Sequence, residues 1–306
     1  MANPAKVSLK HAGAWKEPDK IWLKDGGVWK EPIGGWVKTG GVWEKFWPKD
    51  VTLNCDTYFN SVVYLSGFNG ADGSTAVVEE TGKAVLSAVN GNAQIDTAQF
   101  KFGSSSLLLD GTGDYVSYAD SDNYAFDAGQ FTIETFVRFN AVTPGQTFVA
   151  KWNGGTTVAE WAFWFDNTSK LGFLFYDSGG VLRTCQLAWA PVVNTWYHVA
   201  VDRDATGVVR LYVNGAMLTK ATLAQTMRNS NNLLQVGSIA PHTSFWYLNG
   251  WLDELRITKG VARYASDAGY TLPTAAFPRI VCPAQTLDLD FTTTTSLDPR
   301  ITLRKA

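Results

Sequence analysis

No apolar run in the chain approaches the roughly 18 residues that a membrane-spanning helix needs, so no segment is read as crossing a bilayer. The opening residues, MANPAKVSLKHAG, lack the apolar core of a signal peptide, which predicts folding in a cytoplasm even for a protein that later acts outside a cell. Charge is sparse at 18% of residues and nearly balanced, with a net of about −2. Neither nucleic acid nor an anionic membrane would be drawn to such a surface, and both are excluded as main partners. Methionine is scarce as well, with 3 residues in 306.

The three cysteines, Cys55, Cys185 and Cys282, are far apart and fit neither a metal-binding spacing nor a disulfide framework. Three reduced thiols are expected, with an odd cysteine bridging two chains as the alternative. The three histidines are His11, His198 and His242. His198 falls mid-strand between Tyr197 and Val199, where a hydrogen-bonded structural role is expected. No serine or cysteine stands in a nucleophile motif and no glycine-rich phosphate loop follows a strand. The expectation is that the protein is not an enzyme.

What the chain has instead is tryptophan and glycine, 13 and 28 residues, the composition of strands and turns. Trp15, Trp22, Trp29, Trp36 and Trp43 recur every seven residues, as in a heptad helix. Gly26-Gly27, Gly40-Gly41, Pro18 and Pro32 interrupt that run too often for a helix, at about 1 kcal/mol for each Gly and 3 for each Pro. The fuller period is 14: VSLKHAGAWKEPDK from Val7, IWLKDGGVWKEPIG from Ile21, GWVKTGGVWEKFWP from Gly35. Asp25-Gly26-Gly27 and Thr39-Gly40-Gly41 supply tight hairpin turns. Residues 1–50 are therefore read as a β-hairpin repeat module too small to hold its own core. Its tryptophans either dock against neighbouring subunits or partner proteins, as in a trimer, or decorate a hairpin stack; the docking reading is favoured because a small Trp-rich unit leaves a large apolar patch. Nine lysines against six acidic residues in this segment are read as a solvated face.

Beyond a linker at 51–60 the pattern changes to alternation. FTIETFVRF from Phe131 places Phe131, Ile133, Val137 and Phe139 on one face and Thr132, Glu134 and Arg138 on the other, which requires a second sheet to cover the apolar side. SLLLDGTGDYVSYA from Ser106 reads as a hairpin around Asp110 to Asp114, and WYHVAVDRDATGVVRLYVNG from Trp196 as another that ends on the Asn214-Gly215 turn signal. GWLDELRITKGVARY from Gly250 supplies the closing strand, with Trp251, Leu255 and Ile257 facing one way and Glu254, Arg256 and Thr258 the other. About a dozen short strands without a convincing helix mean an all-β sandwich or jelly roll.

FGSSSLLLDGTGDYV from Phe102, FTIETFVRF, TWYHVAVDR from Thr195, RLYVNG from Arg210 and WLDELRITKGVARY resemble, in order and spacing, the signature blocks of the laminin-G-like (concanavalin A-like) jelly roll of bacteriophage tail and tail-fibre proteins. The resemblance covers roughly 61–277 and leaves 278–306 as a C-terminal extension, whose TLDLDFTTTTSLDPRITLRKA is similar to stretches that open further fibre modules. It implies a virion protein of the tail, fibre or baseplate, with other virion proteins and a host-surface glycan as partners, and the Trp repeat before it is expected to dock the protein or join it as a homotrimer. A capsid-decoration or head-fibre protein is the alternative, and a glycan depolymerase a more distant one. Glycosidases of this fold carry a Glu-x-Asp-x-Glu-like strand, and none is present: Asp253 and Glu254 are adjacent and so expected on opposite faces, Glu134 stands alone, and Glu79-Glu80 falls in a loop. Members of the superfamily often hold calcium at the sandwich rim; Asp120 and Asp122 are the candidates for it here, against the ordinary preference of aspartate for turns. No other cofactor is expected. Sugar recognition wants aromatic faces beside amide or carboxylate groups. KWNGGTTVAEW (Trp152, Asn153, Glu160, Trp161) and APHTSFWYLNG (His242, Phe245, Trp246, Tyr247) are the two loops that offer them, with core filling as the competing use of each aromatic.

Overall fold

The structure, a computed structural model, describes residues 55–152, 159–239 and 246–282, together with the backbone of six short strands between Leu9 and Trp47. Residues 1–57 with 280–306 form one compact unit and residues 58–279 another. In the first unit, β1 (Leu9–His11) pairs with β2 (Ala14–Lys16), β3 (Leu23–Asp25) with β4 (Val28–Lys30), and β5 (Gly35–Thr39) with β6 (Val42–Trp47), as three separate antiparallel hairpins. The closing pairs His11↔Ala14, Asp25↔Val28 and Thr39↔Val42 each leave two residues between them, the spacing of a tight hairpin. Trp15, Trp29, Trp36 and Trp43 lie in β2, β4, β5 and β6; Trp22 lies outside the described residues.

Also within this unit, Cys55 and Cys282 form a disulfide, 227 residues apart in sequence, beside a parallel bridge between Asp56 and Val281. Asp56 N donates to Ile280 O at 2.9 Å and Cys282 N to Asp56 O at 3.2 Å, so the bond sits on a hydrogen-bonded crossing of the two strands of chain. This corrects the expectation of three reduced thiols; only Cys185 is free, buried where the apolar surroundings push its thiol up to about 12. The pairing could not be read from spacing because a fold, not the sequence, returns residue 282 to residue 55.

The second unit is a sandwich of two antiparallel sheets. Its strands are β7 (Val62–Ser66), β8 (Leu86–Asn90), β9 (Gln94–Asp96), β10 (Ser106–Asp110), β11 (Tyr115–Tyr118), β12 (Phe131–Phe139), β13 (Gln146–Lys151), β14 (Trp161–Phe165), β15 (Lys170–Tyr176), β16 (Leu182–Ala188), β17 (Trp196–Arg203), β18 (Val208–Val213), β19 (Ala216–Thr222), β20 (Leu234–Val236) and β21 (Asn249–Lys259). The first sheet has the order β19-β18-β17-β12-β21-β10-β9, with β7 pairing the far half of β21. The second has the order β16-β15-β14-β13-β20-β11-β8. Between them lies one continuous apolar core, including Phe131, Ile133, Val137 and Phe139 of β12 against Phe163, Phe165 and Phe173 of the facing sheet. The alternation of β12 thus lands as its sequence predicts, and Asn214 and Gly215, both at positive φ, make the tight turn between β18 and β19.

Two local expectations fail for one reason each. The segment from Ser106 to Tyr118 is no hairpin: β10 belongs to the first sheet and β11 to the second, and the turn between them is a corner. Asp114 holds that corner by accepting from Asp110 N at 2.9 Å and Asn92 N at 2.7 Å, so the turn residues were recognised while the strands they join part company. In β21, Leu252, Leu255 and Ile257 face the core while Trp251 lies outside, its ring under the Arg138 guanidinium at 4.8 Å. A bulge opposite Glu134 and Phe136 causes the difference, with Glu254 at φ 50, because the extra residue reverses the side-chain parity halfway along the strand.

Closing a loop of 227 residues stabilises the folded state by about 2–5 kcal/mol. Reduction, or Cys55→Ser, is expected to lower the denaturation midpoint accordingly, whereas Cys185→Ser should leave the gap between oxidised and reduced protein unchanged. Equal midpoints with and without reductant would show that the pair does not form.

Candidate functional site

The aromatic residues singled out for sugar binding separate according to the face of β14. Trp161 points inward, donating from Nε1 to Tyr124 O at 3.0 Å and packing on Phe126 and Phe173. It is core, not site, because Trp161, Phe163 and Phe165 share one parity of the strand. Trp164, which the sequence reading passed over, has the other parity and lies on the outer face of the second sheet. There it meets Trp152, with ring centroids 6.0 Å apart and planes inclined by 30°, and Trp246 at 4.1 Å; Tyr176 stands edge-on to Trp152 at 5.8 Å. Alternation within WAFWF was the signal that could have found it. Trp152 and Trp246 thus lie in one cluster, although they come from segments about ninety residues apart. Asn153, His242 and Phe245 lie outside the described residues.

Small neighbours make room for this cluster. Ala150 and Ala162 occupy the same face, Leu174 and Ile239 close its floor, and Gly172 lies directly under the Trp164 indole. Glu160 does not serve the aromatic face. Its Oε1 is 2.6 Å from the buried Lys151 Nζ and accepts from Ser230 N and Oγ, and burial raises its pKa against those partners. The same ammonium stands 2.8 Å from Asp120 Oδ1, so a lysine already supplies the positive charge there. Asp122 contributes its backbone carbonyl to Lys259 Nζ at 2.6 Å, with Asn229 Nδ2 3.5 Å from its Oδ1. Among the described residues no group of three or more His, Cys, Asp and Glu side chains is gathered as metal ligands.

The remaining acids and His198 converge on the outer face of the first sheet, beneath residues 261–279. Glu134 is fully buried there. Arg256 donates to its Oε1 from Nε at 2.9 Å and Nη2 at 2.8 Å, His198 Nε2 lies 3.3 Å from Oε2, and the Tyr264 hydroxyl donates to Oε2. Burial works against this charge, yet Arg256, His198 and Arg263 outweigh it and hold the carboxyl well below the usual range. His198 Nδ1 is 2.7 Å from the Tyr270 hydroxyl, and Asp202 accepts from Tyr264 N at 3.2 Å and Ala265 N at 2.6 Å. Thr132 Oγ1 donates to Val261 O and accepts from Arg263 N, both at 2.9 Å, which pins the covering segment where it leaves β21. Residues 261–264 run irregularly there, without a helical turn.

Asp253 and Glu254 depart from expectation. Adjacent strand residues should face opposite ways, but the bulge turns both toward the covered outer side. Asp253 Oδ2 accepts from Lys101 N and Phe102 N at 2.7 and 2.9 Å; Glu254 accepts from Phe277 N at 2.9 Å and from Arg279. Phe102 and Phe277 both pack on Phe136. Burial pushes the Asp253 carboxyl up to about 7, helped by the charge of Glu254 and opposed by the two backbone N–H groups.

Removing one partner from a buried ionic cluster strands the others, so Glu134→Ala should lose about 3–5 kcal/mol in a urea titration. Asp253 carries a pH signature. An unfolded aspartate titrates near 3.9, so the folded state holds the extra proton between about 3.9 and about 7. Its contribution to stability is complete below that window and is lost as pH rises through it. Asp253→Asn should flatten the stability profile over that range, and an unchanged profile would show that the group does not titrate there.

Comparison with known proteins places this geometry. The profile of the concanavalin A-like lectin/glucanases superfamily, of laminin G type, matches residues 110–265. No curated protein matches. Among solved structures, the binding domain of Paraclostridial Mosquitocidal Protein 1 is similar at 14% identity and a TM-score of 0.53, over 67% of this chain and 50% of that one. The botulinum neurotoxin serotype D binding domain is similar at 14% identity and a TM-score of 0.51, over 68% and 50%. At such identity the likeness is one of fold, and this chain spans about half the length of the solved structures that it matches. The profile match covers just over half of the chain, within the second unit; the chain belongs to the concanavalin A-like lectin/glucanases superfamily.

Proposed function

We propose that the chain is a non-enzymatic glycan- or receptor-binding protein of a bacteriophage virion, in the tail, fibre or baseplate, and that the outer face of its second sheet is the binding surface. The observation that carries the reading is the cluster of Trp152, Trp164, Trp246 and Tyr176, gathered from three parts of the chain on the outer face of the second sheet, with Trp246 and Tyr176 half-buried. A pyranose ring stacks its C–H face on such aromatics while its hydroxyls seek polar neighbours. Two similar solved structures are binding domains, which agrees with a recognition role for the fold.

The acids argue in the same direction. Hydrolysis of a glycosidic bond needs two carboxyl groups flanking the substrate. Glu134, Asp253 and Glu254 are buried and bonded beneath the covering segment, and Glu160 is engaged by Lys151 and Ser230. The virion assignment rests on the five blocks that resemble phage fibre jelly rolls and on the hairpin module before them. In this reading the hairpins dock or trimerise the protein and the sandwich faces the host.

Trp246 is half-buried where Trp152 and Trp164 are buried, so its loss should cost binding more than stability. On an array of host-surface glycans the wild-type protein should bind and Trp246→Ala should bind at least about tenfold more weakly, a difference of about 1.4 kcal/mol. Binding to no glycan would remove the reading, and release of reducing sugar from host polysaccharide would replace it with an enzyme. Detection of the protein on tail-less capsids would move it to the head.

A further inference from the structure

We infer that Lys151 and Asn229 are the two ends of an intramolecular isopeptide bond, a modification that the chain makes on itself, with Glu160 as the proton carrier. The inference stands apart from the glycan-binding reading.

Lys151 ends β13 with its side chain fully buried, a place that a lysine seldom takes. Among the described residues its Nζ lies 2.6 Å from Glu160 Oε1, 2.8 Å from Asp120 Oδ1, 2.6 Å from Ser230 O and 3.3 Å from Asn229 Oδ1. An ammonium has only three hydrogens to give. The three shorter contacts use them, so the Asn229 carbonyl stands against the nitrogen as a further neighbour. Its carbon is the next atom beyond Oδ1, and nucleophile and target are therefore already side by side. Asn229 Nδ2, 3.5 Å from Asp122 Oδ1, is turned the other way. Asn229 and Asp122 are both exposed, so the amide shows its oxygen to the buried amine and its nitrogen, the leaving group, to solvent.

Glu160 is suited to relieve the lysine of a proton. It is fully buried, and its Oε1 also accepts from Ser230 N at 2.7 Å and Ser230 Oγ at 2.6 Å. Its Oε2 is buried too and has no hydrogen-bond partner, which leaves the anion incompletely satisfied. Burial raises the pKa of this carboxyl despite the hydrogen bonds and charge that oppose it. Passing a proton from Nζ to Oε1 turns two buried charges into two neutral groups and gives Nζ a lone pair.

The step then balances without a co-reactant. Rotation about Cε–Nζ turns the lone pair to Asn229 Cγ, and the new C–N bond forms as the carbonyl electrons move to Oδ1. Those electrons return as the bond from Cγ to Nδ2 breaks. The departing nitrogen takes the second proton that Nζ gives up, and with the proton returned by Glu160 it leaves as ammonium. One ammonium and one amide enter; one amide and one ammonium come out, and nothing is oxidised or reduced. Amides resist amines in water, and the fixed neighbourhood of the two groups supplies what dilute reactants lack. The bond would close a loop of 78 positions that contains β14 to β19, and unlike the Cys55–Cys282 disulfide it would survive reductant.

Mass spectrometry of the full chain in reductant, before and after denaturation and trypsin, tests this on wild type, Asn229→Ala, Lys151→Arg and Glu160→Gln. Wild type should be lighter than its sequence by one ammonia, trypsin should fail to cut after Lys151, and a branched peptide should join Lys151 to Asn229. All three signs should vanish in Asn229→Ala, where the lost side chain is exposed, and in Lys151→Arg, which keeps the buried cation. Glu160→Gln keeps the shape of the carboxyl and should lose them as well. Wild type at full mass and cut after Lys151 would overturn the inference. Ammonia loss that persists in Lys151→Arg would overturn it too, because Asn229 would then be closing on Ser230 N. A branched peptide in Glu160→Gln would overturn the role given to Glu160.

Discussion

Glu134 keeps its charge in a place where water cannot reach it, and most of the second unit is arranged around that fact. A bare carboxylate there would be protonated or expelled. Arg256 meets it with two nitrogens, His198 and Arg263 add to the field, and Tyr264 donates its hydroxyl. These groups come from β12, β17, β21 and the segment after β21, so a single ion cluster ties three neighbouring strands to the chain that covers them. The resemblance to the laminin-G-like blocks is legible in the same terms. Glu134 belongs to FTIETFVRF, His198 and Asp202 to TWYHVAVDR, Tyr212 to RLYVNG, and Arg256, Arg263 and Tyr264 to WLDELRITKGVARY. Four of the five blocks thus meet at one buried polar site, and the fifth, through Lys101 and Phe102 beside its start, meets Asp253 next to it.

The consequence is an asymmetry between the two sheets. The first sheet spends its outer face on its own covering segment, with Tyr264 and Tyr270 stacked in parallel and Arg279 clamped between Glu80 and Glu254. The second sheet carries apolar and aromatic side chains outside as well as inside: Ala162 and Trp164 outward, Trp161, Phe163 and Phe165 inward, alternating along one strand. A strand that is apolar on both faces is ordinary where something covers it. Here the aromatic cluster occupies the outer side of β14, and the first sheet's sealed face explains why Glu134, Asp253 and Glu254 stay away from it.

Alternation made the sandwich legible. It placed Phe131, Ile133, Val137 and Phe139 in the core, and Asn214-Gly215 marked a turn that the structure contains. Alternation fails where one residue is inserted. The bulge at Glu254 turned Trp251 outward, brought Leu252 inward and set Asp253 and Glu254 on the same side, and no local feature of DEL announces it, since glutamate at positive φ is paid for by contacts with Phe277 and Arg279. The Asp110 to Asp114 turn was equally visible, yet a turn residue specifies a change of direction and not the sheet to which the next strand belongs.

Local period and composition, which are properties of neighbouring residues, determined that this chain is all-β, that its strands are short, and that two faces of each must be distinguished. They also determined which aromatic and polar residue types were present. Only the tertiary structure decided that Trp152, Trp164 and Trp246 would meet while Trp161 would not, that Gly172 would lie beneath an indole, and that Cys55 would find Cys282. Each of those depends on contacts between residues tens to hundreds of positions apart, and long-range contact is set by how the sheets stack and where the chain returns, which no short window of sequence encodes.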